Sequence, residues 1–406
     1  MLDLRYGHKA TGASSIVMLA YTIFLSVTST GAYATVLHVL LGWDRWLCIV
    51  VGGGVVLVYS VIGGMWSITL ADQVQFIIKT IGIFALMLPF TLSKAGGFDG
   101  IRERMGDQAF NLIGDKNFGA DPQTILTWFV VFTLGLLIGQ DIWQRVFTAR
   151  SPEVARWGGA AAGIYCIFYG AAGAVIGMAA HASLGDKIKV KDDVYAEVAD
   201  KILPAGIGGL VLAAAVAAMM STASGALIAA ATVARNDVVP MITGKAKATG
   251  ESAEDPHSDK NIRENRTWVL GLGIVIIAIA AWMSSLKAGG DIVVASLTIA
   301  YDILVGGLLI AILGGFVWKR GNGQGAAASM IVGTVVTLGT MAVLAVQLGD
   351  PLLGILDNKP IYFGLLASLV TFVAVSLATK PVRPEVREEW DARVSGRIET
   401  EGVRTS

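Results

Sequence analysis

The chain has 406 residues, 54% of them apolar and 15% charged, with 31 basic and 31 acidic side chains. A formal charge of zero gives no sign of nucleic acid as a partner, and soluble domains carry nearer a quarter of charged residues. A mean hydropathy of +0.65, gathered in runs close to the roughly 20 residues that cross a bilayer as a helix, marks an all-α polytopic membrane protein rather than a soluble bundle.

The first ten residues, MLDLRYGHKA, are polar, and the apolar run after them is far too long for a signal-peptide core. They read as a loop entering an existing helix, not as a natural beginning. About ten membrane helices are expected, near 11–41, 46–63, 70–92, 124–142, 157–182, 204–234, 267–286, 293–318, 325–347 and 360–379. Polar connections carry turn residues, as in GGFDG (96–100) and TGESAEDPHSD (249–259). Residues 380–406 open KPVRPE and read as a charged cytoplasmic tail behind a membrane domain of residues 1–379. With residues 1–10 inside, 19 Lys and Arg fall on inner segments and 11 on outer ones, Lys79 lying within a helix. That bias, with an even helix count, puts both termini in the cytoplasm of a multi-pass protein of the plasma (cell inner) membrane.

Four polar places within the spans stand out in chain order, because polarity there costs free energy and marks candidate sites. In GGMWSITLADQVQFIIK (63–79), Asp72 opens a helix after a Gly-Gly turn. It is either a helix cap helped by the macrodipole or an anionic way-station for a cation. In TLGLLIGQDIWQRVFTARS (133–151), Gly135 and Gly139 weaken the helix just before Gln140 and Asp141. A break there would free backbone groups near the bilayer centre, as transporters do at substrate sites; Gln144–Arg145 beyond it fits an interfacial anchor as well. In AAAVAAMMSTASGALIAAATVARND (213–237), Ala218, Ser221 and Thr222 share one helix face at i, i+3 and i+4. Two hydroxyls beside a carbonyl suit a small hard monovalent cation that must bind and leave; the alternative is hydroxyls bonded back to the preceding turn. In GGDIVVASLTIAYDILVGGLLIAILGGFVWKR (289–320), Tyr301 and Asp302 either line a vestibule or, for Asp302, snorkel to the surface.

Other chemistry is not indicated. Cys48 and Cys166 lie in apolar runs and read as inert thiols. His8, His38, His181 and His257 lack metal-ligand spacing, and no P-loop points to ATP-driven pumping. The glycines of GGAAAGIYCIFYGAAGAVIGMAA (158–180) read as helix packing.

At these residues the chain resembles the sodium:solute symporter family, the sodium-coupled sugar, proline, pantothenate and monocarboxylate transporters. LPAGIGGLVLAAAVAAMMSTASGALIAAATVARND, VYSVIGGMWSITLADQVQ, GQDIWQRVFTARSPEVAR and FVWKRGNGQGAAASMIVG resemble its segments, in family order. The resemblance implies an inverted-repeat, LeuT-like fold of five plus five helices, in which 124–142 opens the second repeat. It implies a sodium site at Ala218, Ser221 and Thr222 and a sodium path past Asp72; the expected break and the polar pair of 289–320 make Gly139, Gln140, Tyr301 and Asp302 the candidate solute region. Members usually carry about three more helices upstream, so it also implies that the chain is N-terminally truncated and its first repeat incomplete. Gly135 stands where the sugar transporters place an aromatic gate, which disfavours sugar. STASG departs from the commoner STADS and leaves Ser224 open. The expected function is sodium-driven uptake of a small organic solute by alternating access, with no catalytic residues, no cofactor beyond sodium as coupling ion, and no metal beyond it. Its partners are that solute, sodium and the bilayer. The alternatives are proton coupling through Asp72 or Asp302, or an inactive truncated fragment or scaffold.

Overall fold

The computed structural model of the chain describes residues 2–111, 113–114, 121–147, 149–188, 190–243, 259–285 and 292–395. Among them the regular elements are all helical. In lipid this is the expected outcome, because each backbone group must be satisfied within its own segment.

A short helix, α1 (Leu2–Tyr6), leads into α2 (His8–Leu41), which stops at Gly42 in the left-handed conformation. Helix α2 is apolar all round, which suits a buried helix, and Tyr21, Val27 and Tyr33 on it are fully buried. It stands at the centre, packed against α3 (Arg45–Thr80), α11 (Ala205–Val233), α13 (Asp259–Ser284), α14 (Ile292–Leu304) and α16 (Gly323–Leu348). One expectation is corrected here. The helices expected at 46–63 and 70–92 are not parted by a Gly-Gly turn; α3 runs through Gly63 and Gly64 and continues by a π-turn (Ile81–Met87) into α4 (Leu88–Ala95). Glycine costs a helix only about 1 kcal/mol, too little by itself to end one.

Outside the membrane runs α5 (Gly97–Met105). The segment expected at 124–142 is α6 (Pro122–Trp128), a π-turn (Phe129–Thr133), α7 (Leu134–Ile138) and, beyond a break, α8 (Gln140–Phe147). Helix α9 (Pro152–Leu184) starts at Ser151, whose hydroxyl accepts from Val154 N at 3.2 Å, and stays mostly exposed on the flank. Then come α10 (Val194–Lys201), α11, and α12 (Val239–Thr243) behind a π-turn. Helix α14 passes by another π-turn (Val305–Leu309) into α15 (Ile310–Val317); α16, α17 (Pro351–Leu356) and α18 (Lys359–Ala378) follow. Among the described residues, nine helical stretches are long and apolar enough to cross a membrane, Arg45–Ile62 and Gln73–Ala95 counting separately along α3 and α4, and Pro122–Ile138 is a shorter apolar one. The tenth expected span is this shorter, broken one.

Two devices close the ends of the bundle. At one end Asp193, before α10, takes a bidentate ion pair from Arg45 at 2.7 Å, and Arg45 also donates to Thr35 at 3.0 Å. Neighbouring Asp192 accepts from Val293 N at 3.0 Å. At the other end the buried Arg5 donates to the carbonyls of Gly315 and Trp318, and Tyr6 to Ala311 O. Burial pulls the Arg5 guanidinium below its ordinary pKa, with Tyr6 and Asp391 opposing, and burial pushes the Tyr6 hydroxyl up. The expected tail contains a helix, α19 (Pro384–Val394), whose buried Trp390 lies 5.4 Å from the Phe316 ring.

Candidate functional site

The helix through Pro122–Phe147 comes apart at Gly139, which lies extended (φ −65°, ψ 128°) between α7 and α8. This is the break expected from the glycines and the polar pair Gln140–Asp141 behind them. At such a break the last carbonyls of α7 lose their intrahelical donors. One is recovered: the Trp143 indole donates to Leu137 O at 2.7 Å. Beside it, Gln140 Oε1 is buried and has no hydrogen-bond partner among the described residues. A buried orphan acceptor costs roughly 1–3 kcal/mol, so it suits a site that a donor or a cation completes. The side chains of Asp141, Gln144 and Arg145 lie outside the described residues.

One turn before the break, Gly135 lies against Tyr301 of α14. A Cβ there would meet Tyr301 Cδ1 at 2.5 Å, so only glycine allows this approach. The Tyr301 ring stands edge-on to Phe132 at 5.2 Å and to Tyr21 of α2 at 5.6 Å. A buried aromatic ring thus stands beside position 135, supplied from across the interface. Asp302 is turned elsewhere. It sits about 100° round the helix from Tyr301, on the face whose next turn, Gly306, packs on Thr337 of α16. It is 2% exposed, and α16 and α17 carry no charged residue. Of the four residues expected near the solute, Gly139 and Gln140 form the break, Tyr301 faces the helix that breaks, and Asp302 lies on the face of α14 turned toward α16.

Helix α8 packs against α11, which holds the hydroxyl cluster. Thr222 Oγ1 donates to Ala218 O at 3.3 Å, the back-bonding geometry left open by the spacing. That bond also holds two neutral oxygens together, and each keeps a lone pair for another partner. Ser221 is buried and Thr222 exposed. Ser224, undecided by sequence, donates to Ser221 O at 2.9 Å. Two supports were not foreseen as such: Tyr59 donates to Met220 O at 2.6 Å and Ser26 of α2 to Ala223 O at 3.1 Å. Four carbonyls between 218 and 223 thus receive hydroxyl donors, two from α11 itself and two, from Tyr59 and Ser26, that tie this stretch to α3 and α2. Nothing local could reveal Ser26, 197 residues away. Asp72 is helical in α3, but its side chain lies outside the described residues. Among the described residues no group of three His, Cys, Asp or Glu gathers as for a metal ion.

Compared with known proteins, residues 1–333 match the family described as "Sodium:solute symporter family". Sodium/glucose cotransporter 4 of Danio rerio is 24% identical over 453 residues, covering 97% of this chain and 65% of its own length. Sodium/myo-inositol cotransporter 2 of Homo sapiens is 26% identical over 392 residues, covering 85% and 55%. The chain thus spans about two thirds or less of these curated relatives. A solved Na+-coupled sialic acid symporter, substrate-bound and outward-open, matches with a TM-score of 0.66 at 18% identity, over 94% of this chain and 77% of that one. Its LeuT-like, inverted-repeat fold is the fold of this chain. These relatives are transporters, and the chain is a multi-pass membrane protein.

Proposed function

The chain belongs to the sodium:solute symporter family, and we propose that it couples sodium influx to uptake of a small organic solute by alternating access. The carbonyl of Ala218 and the hydroxyls of Ser221 and Thr222 supply one half of a sodium site. Asp72 lies on the path sodium takes to the cytoplasm. Gly139, Gln140 and Tyr301 border the solute, with Asp302 behind them. Sodium is the coupling ion, no residue performs catalysis, and both termini lie on the cytoplasmic side of the plasma membrane, with residues 380–406 as the tail.

The observation that carries this reading is the pairing of two neutral-oxygen features on packed helices. One is the 3.3 Å Thr222–Ala218 pair on α11; the other is the orphan Gln140 Oε1 at the break before α8. Neutral oxygens hold a monovalent ion without the grip of a carboxylate cage, so the ion can leave on the other side. Alternating access then rocks the broken-helix side against the scaffold of α2, α3, α11 and α14. The test is uptake of labelled glucose, myo-inositol and sialic acid, the solutes in the relatives' names, into proteoliposomes with an inward sodium gradient. Replacing sodium by choline should abolish uptake; equal uptake in choline refutes sodium coupling.

Proton coupling is the second reading, and Asp302 favours it. A buried acid within a span, facing helices without charge, is a natural proton carrier. Uptake driven by a pH gradient in choline, and lost in Asp302→Asn, would establish it over sodium.

A further inference from the structure

The flank formed by α16 and α18 carries a groove of about 840 Å3. On their inner faces these helices meet closely: a Cβ at Gly364 would collide with Thr337 Oγ1, and one at Gly333 would stand 2.9 Å from Ser368 Cβ. On their outer faces Val343, Phe363 and Val370 line the groove and stay exposed. Gly339 adds open space, with nothing within 4 Å of where its Cβ would stand. Thr340, midway along, donates its hydroxyl to Val336 O at 2.8 Å. Free polar groups are confined to one end, where Gln347 of the last turn of α16 and Lys359 of the first turn of α18 line the groove.

From Lys359 to Val370 helix α18 rises by about 16 Å at 1.5 Å per residue. That is about half of a 30 Å hydrocarbon core. The groove is therefore one leaflet deep, polar at the interface and apolar below it.

We propose that this groove holds one phospholipid of the leaflet on the Lys359 side. An acyl chain lies along Val343, Phe363 and Val370, and the phosphate sits at Lys359 and the amide of Gln347. The Lys359 side chain is 59% exposed, and its nearest carboxylate, Asp357, is 3.8 Å away. That carboxylate also accepts Lys359 N at 2.8 Å, and a single contact at 3.8 Å leaves the three-donor ammonium room for a second anion. The N-terminal dipole of α18 adds attraction for a phosphate. A second copy of the chain fits less well: two-fold pairing of parallel copies through this groove would bring each Lys359 to the same depth as its twin, at a cost from like charges.

The test uses the purified full chain in detergent, titrated with phosphatidylglycerol or with the diacylglycerol of the same acyl chains. Thermal unfolding and cross-linked mass are the readouts. Phosphatidylglycerol should raise Tm saturably, and diacylglycerol should do so more weakly. Lys359→Gln should weaken the phosphatidylglycerol effect about fivefold, near the 1 kcal/mol a basic residue contributes at an anionic surface. Gly339→Trp, which fills the groove, should abolish saturation. Equal effects of the two lipids, or an unchanged titration in Lys359→Gln, overturns the proposal even if Gly339→Trp fails to fold. A lipid-independent dimer that Lys359→Gln strengthens would assign the groove to a second copy instead.

Discussion

Gly135→Ala perturbs the contact that seats the breaking helix on Tyr301. The new Cβ would stand 2.5 Å from Tyr301 Cδ1, 3.0 Å from Cε1 and 3.3 Å from Val305 Cγ2. Carbon atoms rest about 3.5–4.0 Å apart, so the ring or the helix must give by about 1 Å. The ring has little room to swing, because Phe132 and Tyr21 hold it edge-on from two sides. Overpacking of this kind costs about 1–3 kcal/mol. Replacing glycine by alanine in a helix returns about 1 kcal/mol, so the expected net loss is about 0–2 kcal/mol. Tyr301→Ala alone leaves a cavity and should cost about 3–5 kcal/mol, in the range of other buried aromatic truncations. The double variant relieves the clash, and its loss should fall short of the sum of the singles by about 1 kcal/mol, within the coupling range of contacting residues. The assay is a double-mutant cycle of denaturant unfolding in mixed micelles, followed by tryptophan fluorescence. Additivity to within about 0.5 kcal/mol would refute the contact, and with it the placement of Tyr301 beside the break.

Three further outcomes are expected. Ser221→Ala combined with Thr222→Ala should raise the sodium concentration for half-maximal uptake about tenfold, equivalent to about 1.4 kcal/mol; unchanged sodium dependence removes these residues from the site. Arg45→Gln strips the partly buried Asp193 of its bidentate partner and should destabilise by about 1–3 kcal/mol, whereas Arg45→Asp with Asp193→Arg should recover part of that in the same unfolding assay. Trp143→Phe removes the 2.7 Å bond to Leu137 O and should cost about 0.5–1.5 kcal/mol, read locally as faster amide exchange in residues 134–143; exchange unchanged there would mean the indole does not brace the break.

Much of the architecture follows from local sequence. Apolar length alone places the spans, because a chain in lipid has no alternative to satisfying its backbone within a helix. Ser151 before Pro152 and Gly42 after Leu41 mark helix ends by ordinary capping chemistry. The break at Gly139 is legible because two glycines precede the polar pair Gln140–Asp141 inside a span. The hydroxyls of α11 are legible because i, i+3 and i+4 share a face whatever the helix packs against. The same local logic misjudged Gly63–Gly64, where glycine weakens the helix without ending it.

What only the tertiary structure decided is which face of each helix meets which neighbour. These helices are apolar on every side, and lipid is as apolar as the bundle interior, so no periodicity marks the inward face. For that reason adjacent Tyr301 and Asp302 look alike in sequence yet lie on the faces of α14 turned toward the break and toward α16 respectively. The contacts that position the site and close its ends are longer in range still: Ser26 to Ala223, Arg45 to Asp193 and Arg5 to Gly315 join residues 197, 148 and 310 positions apart. Each is a polar bond that forms only after the helices have packed, so the packing, not the sequence pattern, selects the pair.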